Sequence, residues 1–358
     1  MVLLQIFVVI VAVCLFVGAL TFGLSVVRYW FDRRQEGARG DLLPELFAHL
    51  EEPGPETATW YDSLSRVEQY VVRQSIIQYL RRLEGSDHRK FVALSAALGL
   101  DEHARALCRR RSTFNTLRGL IWLTLLKQSP STAFLRRHCM ATPETRAAAA
   151  RLLCTVDEDV ADMDATALLL RDGETPMSVY ALDTLYQLNR SDSTPLLAKA
   201  GADASWWNDQ LLLQCLTVLS HCQSAEQIEQ FAWLPPLLEA ESPQIRAGAL
   251  LAFARQGWRD AFREHVVVED VLSDPEPEVR TAAYELLGQW GDRPALEWLR
   301  YGVYNDPDDR SRLAAARTLA ARGDDLPMLA GPETETSRTI AWVQNEHRSR
   351  RRIATGWS

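Results

Sequence analysis

Hydrophobic and polar positions along this chain follow two different patterns. From Met1 to Val27 the stretch MVLLQIFVVIVAVCLFVGALTFGLSVV contains no charged side chain, and as a helix it extends roughly 40 Å at about 1.5 Å per residue. That exceeds a hydrocarbon core of ~30 Å, so the pattern predicts one transmembrane helix over 1–27. A cleaved signal peptide is the competing reading. The segment lacks a basic leader, its apolar run is too long for such a peptide, and no A-x-A site follows. From residue 60 onward apolar positions recur at helical spacing instead. Val67, Tyr70, Val71, Ile76, Ile77 and Leu80 share one face of a helix, and 87–111 supplies two more.

Beyond residue 110 the helical pattern repeats. The stretches MATPETRAAAARLLCTVDED (140–159), ESPQIRAGALLAFARQGWRD (241–260), SDPEPEVRTAAYELLGQWGD (273–292) and NDPDDRSRLAAARTLAARGD (305–324) share a turn, an arginine and an Ala/Leu helix. Arg246, Arg280 and Arg312 stand 34 and 32 residues apart, and Arg146 precedes Arg246 by 100. Two further copies are expected near 179 and 212, where ETPMSVYALDTLYQL and WWNDQLLLQCLTVL are in phase but lack the arginine. RSTFNTLRGLIWLTLL (111–126) reads as one more, degenerate copy. A period of about 33 with two helices per unit is the signature of an α-solenoid.

The D-P-x-x-x-V-R start of DPEPEVR, followed by TAAYELLGQWGD, resembles the HEAT-repeat family in its short bacterial, phycobilisome-lyase-type form. The predicted architecture is thus all-α: an α-solenoid of HEAT-like helical hairpins preceded by one transmembrane helix. Its expected parts are the anchor at 1–27, a basic flank and linker at 28–59 with a short helix near Leu43–Leu50, a helical cap at 60–110, the solenoid at 111–335, and a final helix with a basic tail at 336–358. Asp274 and Asp306 suit helix caps, and Pro275, Pro277 and Pro307 suit first turns. The resemblance implies that Arg146, Arg246, Arg280 and Arg312 form a ladder with acidic residues of adjacent repeats, Asp274 and Asp306 among them. It also implies that the second helix of each unit lines the concave surface.

Those second helices fall at 225–241, 259–274 and 292–306. They mix Trp233, Phe262, Trp298, Tyr301 and Tyr304 with Arg263 and Arg300, a composition that suits a groove for a protein partner. Inter-repeat core is the alternative role for each of these rings. Trp206 and Trp207, in the loop-like ADASWWND, are the expected exposed aromatics, unless Asp203 or Ser205 caps a helix that buries them.

Charge and chemistry narrow the reading. A formal net charge of -8 disfavours a phosphate-covering role, so no nucleic-acid partner is expected. The six cysteines show no CxxC and no ladder, and Cys215, His221 and Cys222 lack an evident fourth ligand, so neither metal nor cofactor is expected. No Gly-rich phosphate loop, G-x-S-x-G or H-E-x-x-H occurs, and the reading is of a non-enzyme. Among HEAT-built enzymes, deoxyhypusine hydroxylases use His-Glu pairs, which this chain has only in reverse order. Alkylpurine glycosylases need a basic groove. Phycobilin lyases lack an anchor.

Arg28, Arg33 and Arg34, beside Tyr29 and Trp30, mark a membrane interface, and the positive-inside rule sets the repeats in the cytoplasm with the amino terminus outside. The layout is similar to bacterial inner-membrane HEAT proteins that accompany glycosyltransferases in envelope polysaccharide synthesis and export. The expected function is a membrane-anchored scaffold for a membrane-associated protein. A bilin-lyase-like chromophore chaperone or enzyme is the alternative. No feature sets an oligomeric state.

Overall fold

The computed structural model describes residues 17, 21, 22, 37, 39–156, 162–171, 173, 175–222, 231–257, 260–323 and 335–355. Among these residues all regular structure is helical, and no helix is long and apolar enough to cross a membrane. The expected span falls outside the described residues apart from Val17, Thr21 and Phe22. Arg28, Tyr29, Trp30, Arg33 and Arg34 lie outside them entirely. The chain divides into two compact units, Met1–Ser129 and Pro130–Ser358.

In the first unit, α1 (39–51) is followed by α2 (Pro55–Ser63), α3 (Arg66–Leu80), α4 (Gly85–Ala97), α5 (Leu100–Cys108) and α6 (Thr113–Leu125). The short helix expected near Leu43–Leu50 is present as α1, and it starts earlier, at 39. It carries an i, i+4 pair, Leu42 and Leu46, both buried, and Phe47 meets the rings of Tyr79 and Phe91 edge-on at 5.5 and 6.3 Å. The apolar run after Trp60 breaks at Ser65. There Ser65 and Glu68 form a reciprocal capping box that starts α3, with the Ser65 amide 2.7 Å from the Glu68 carboxylate. Helix α6, expected as a first degenerate repeat, packs on α5 and α3 inside this unit. The close approach depends on Gly119, where a Cβ would lie 2.6 Å from both the Ala104 carbonyl and Cys108 Sγ.

The second unit holds α7 (Thr132–His138), then α8 (Pro143–Val156), α9 (Asp162–Leu169), α10 (Val179–Asn189), α11 (Thr194–Asp203) and α12 (Asp209–Leu219). It continues through α13 (Pro243–Gln256), α14 (Asp260–His265), α15 (Val268–Leu272), α16 (Pro277–Trp290), α17 (Arg293–Asn305), α18 (Asp309–Ala321) and α19 (Glu335–Thr355). Helices α8, α10, α12, α13, α16 and α18 pack each on the next, and they carry the six in-phase positions from Arg146 to Arg312. Second helices α9, α11, α15, α17 and α19 pack against them, which is the stacking expected of an α-solenoid. Small residues bring the layers together, as in the buried run Ala147–Ala150 of α8.

Two of the expected second helices are interrupted. Pro235 and Pro236 lack amide donors, and the chain there forms a short 3-10 helix, Pro235–Glu239. Between α14 and α15 the run Val266–Val268 is β-branched, and Val267 takes an extended conformation that ends one helix before the next begins.

Candidate functional site

Three of the phase arginines, Arg146, Arg280 and Arg312, are buried, and so is Asp306. Arg280 and Asp306 keep 7% and 1% of their side-chain surface, and Arg280 Nε and Nη2 meet the two Asp306 oxygens at 2.9 and 3.0 Å. The third arm, Nη1, donates to the Asp274 and Pro275 carbonyls at 2.8 and 3.1 Å in the loop before its own helix. Arg246 repeats this arrangement one unit earlier. It makes a bidentate pair with Asp274 at 2.8 and 2.9 Å and holds the Ala240 and Glu241 carbonyls. One guanidinium thus fastens the loop that enters its helix to the loop that enters the next, a task that needs a planar fork of donors and that an ammonium cannot perform.

Asp274 and Asp306 do not cap the starts of the helices that follow them. Each accepts the amide two residues on, Glu276 or Asp308, at 2.9 Å in an Asx turn, and the N-caps are Glu276 and Asp308 themselves. The carboxylates are drawn back from the helix ends because both oxygens serve an arginine. Burial disfavours ionisation of Asp274, but the bonds from Arg246 and the Glu276 amide outweigh it and hold the carboxyl below its ordinary range. The Tyr284 hydroxyl donates to Asp306 at 2.9 Å, and burial together with that carboxylate pushes the phenol up. The ring fits because α17 has Gly302 beneath it, where a Cβ would sit 2.6 Å from the hydroxyl oxygen. Arg312 donates to the Asp306 carbonyl at 2.7 Å and pairs with Asp309 of its own helix. Arg146 is buried in α8.

The aromatic positions sort into core and surface. Phe262 is core, edge-on to Phe231 and Phe253 at 5.1 and 5.3 Å. Arg263 is half-buried, with its guanidinium 4.3 Å over the Trp290 ring, so it packs against α16. Trp233 is half-buried against Gly201 of α11. On α17, Tyr301 is exposed and Trp298 half-buried, their rings edge-to-face at 5.8 Å, with half-buried Arg300 and Tyr304 on the same helix.

The two adjacent tryptophans have opposite fates. Trp206 is 81% exposed, but Trp207, expected to share that exposure, is buried at 7%. A 3-10 turn at Ala204–Trp206 followed by extended Trp207 turns the second ring inward over Gly173, whose carbonyl accepts the Asn208 amide at 3.0 Å. Asn208 caps α12 through Leu211, and neither Asp203 nor Ser205 does so. Sequence reasoning also passed over Trp342, half exposed on α19 beneath the Arg317 guanidinium at 4.6 Å. The only signal was its i, i+4 spacing to Glu346, which pairs with Arg317 at 3.1 Å.

Among the described residues no cluster of His, Cys, Asp and Glu is arranged to hold a metal. Cys215 and Cys222 are buried, and burial pushes the Cys222 thiol up to about 12.

Residues 266–340 match the family of HEAT repeats. The match runs from just before α15 into α19 and contains the Arg280–Asp306 rung. HEAT repeats generally mediate protein–protein interaction, so this part of the chain has the character of an interaction scaffold. No curated protein matches the chain, and no solved structure does.

Proposed function

We propose that this chain is a membrane-tethered HEAT-repeat scaffold that binds a protein partner through the α17 face and catalyses no reaction of its own. The observation that carries the reading is the pair of exposed Tyr301 and half-buried Trp298, edge-to-face inside the segment that matches HEAT repeats. Aromatic anchors flanked by arginine are the side chains that dominate protein interfaces. The uncharged stretch 1–27 supports an anchor in a bacterial inner membrane, with the repeats on the cytoplasmic side. Tethering raises the effective concentration of the face at the membrane. A membrane-associated partner follows, and a glycosyltransferase of envelope polysaccharide synthesis, or its regulator, fits the layout.

The test is chemical crosslinking and recovery from the native host, using the full chain, a form lacking residues 1–34, and the double variant W298A/Y301A. One membrane protein should be recovered with the full chain, weakly without the anchor, and not with the double variant. Equal recovery by the double variant overturns the assignment of the face.

A further inference from the structure

The opposite ends of the first helices carry a second set of arginine contacts. Arg255, near the end of α13, donates through Nε to the Cys222 carbonyl at 2.7 Å, 33 residues earlier and three residues past the end of α12. Arg322, after α18, donates to the Gly288 carbonyl and, at 2.8 Å and again 33 residues back, to the Gln289 carbonyl at the end of α16. Arg322 thereby meets the partial negative charge at the end of α16, and Arg255 holds the chain just beyond the end of α12. The repeat between these two has Gln289 in the same register, and among the described residues its side chain makes no hydrogen bond. Between these two arginines the chain has no such contact among the described residues.

An open cleft of about 260 Å³ lies there, bordered by His221, Leu251, Ala254, Arg255, Glu285 and Gln289. Glu285 makes no ion pair among the described residues, and desolvation by the cleft walls pushes its carboxyl above the ordinary range although the residue as a whole is exposed. We propose that this cleft receives an arginine side chain of a protein partner, its guanidinium set on the Glu285 carboxylate one turn from Gln289, where the chain supplies no arginine of its own. Arg255 and His221 line the α12–α13 side, so the incoming cation is directed to the α16 wall. This site is separate from the α17 face and stands or falls independently of it.

The test uses the full chain and a fluorescent pentapeptide, acetyl-Ala-Ala-Arg-Ala-Ala-amide carrying a dye, beside its citrulline counterpart, which keeps the shape and loses the charge. Anisotropy titration should show the arginine peptide binding about tenfold more tightly than the citrulline peptide, the scale of one charge-assisted pair. E285Q should remove that difference while leaving the melting temperature unchanged. Q289R supplies that arginine within the chain, so it should raise the melting temperature and abolish peptide binding. No binding of the arginine peptide, equal binding of the citrulline peptide, or a Q289R variant that still binds overturns the proposal.

Discussion

The repeats before residue 222 and those after 241 have the same stacking but different fastenings. In the later repeats each junction is closed by a bidentate arginine–aspartate pair, Arg246 with Asp274 and Arg280 with Asp306. In the earlier ones, amides share this work with a single-point pair between Arg151 of α8 and Asp183 of α10 at 2.9 Å. Asn189, fully buried in α10, donates to Thr166 of α9 at 3.3 Å and accepts the Leu196 amide of α11 at 3.0 Å. Gln214 of α12 grips Met177 through both its amide and its carbonyl at 2.8 and 2.9 Å. Stacking of apolar faces defines the architecture, and the polar fastening is interchangeable provided that the buried groups are satisfied. The family match at 266–340 contains one such arginine–aspartate pair whole, Arg280 with Asp306.

Removing one fastening from each half tests the comparison directly, because contacts in a repeat array act on nearest neighbours. The largest effect is expected for D306A, which strands the buried Arg280 guanidinium and should cost about 3–5 kcal/mol. Hydrogen exchange should then quicken in α16 and α18 and stay unchanged in α8 to α10. N189A should do the reverse, loosening α9 to α11 at about 2 kcal/mol, the scale of buried hydrogen bonds left unmade. Exchange that quickens throughout both halves in either variant would refute the idea of local fastenings.

Asp274 sharpens the contrast through pH. Its carboxyl is held below the unfolded value, so the folded state resists protonation more than the unfolded chain does. The rung's contribution is complete above about pH 4, the unfolded carboxylate range. It is lost as pH falls through the lower folded value. The stability gap between wild type and D274N should therefore be constant at neutral pH and shrink under acid, whereas the gap for N189A should not change. The smallest effect is expected for Y284F, about 1 kcal/mol for one hydroxyl bond to Asp306.

The stacking was legible from the phase of four arginines, which also located α10 and α12 where the arginine itself is absent. What that residue does in each junction was only partly legible. Asp274 and Asp306 read as caps from Asp before Pro, and only the family resemblance implied their pairing with an arginine, which stands 28 or 26 residues earlier. The fates of Trp206 and Trp207 turn on one backbone angle at a 3-10 turn, which adjacent identical residues do not reveal. Helix α1 was expected near Leu43–Leu50, and its earlier start at 39 was obscured by the neighbouring glycines. The cleft at Glu285 was invisible because it comes from a missing contact, Gln289 in an arginine register.

The central claim, that the α17 face holds a protein partner, is tested most directly by a photo-crosslinking amino acid placed at position 301 of the full chain in its native host, with position 87 on α4 as the control. The account expects one membrane-protein adduct from position 301, lost in W298A and absent from position 87. No adduct at 301, or the same adducts from both positions, would contradict it.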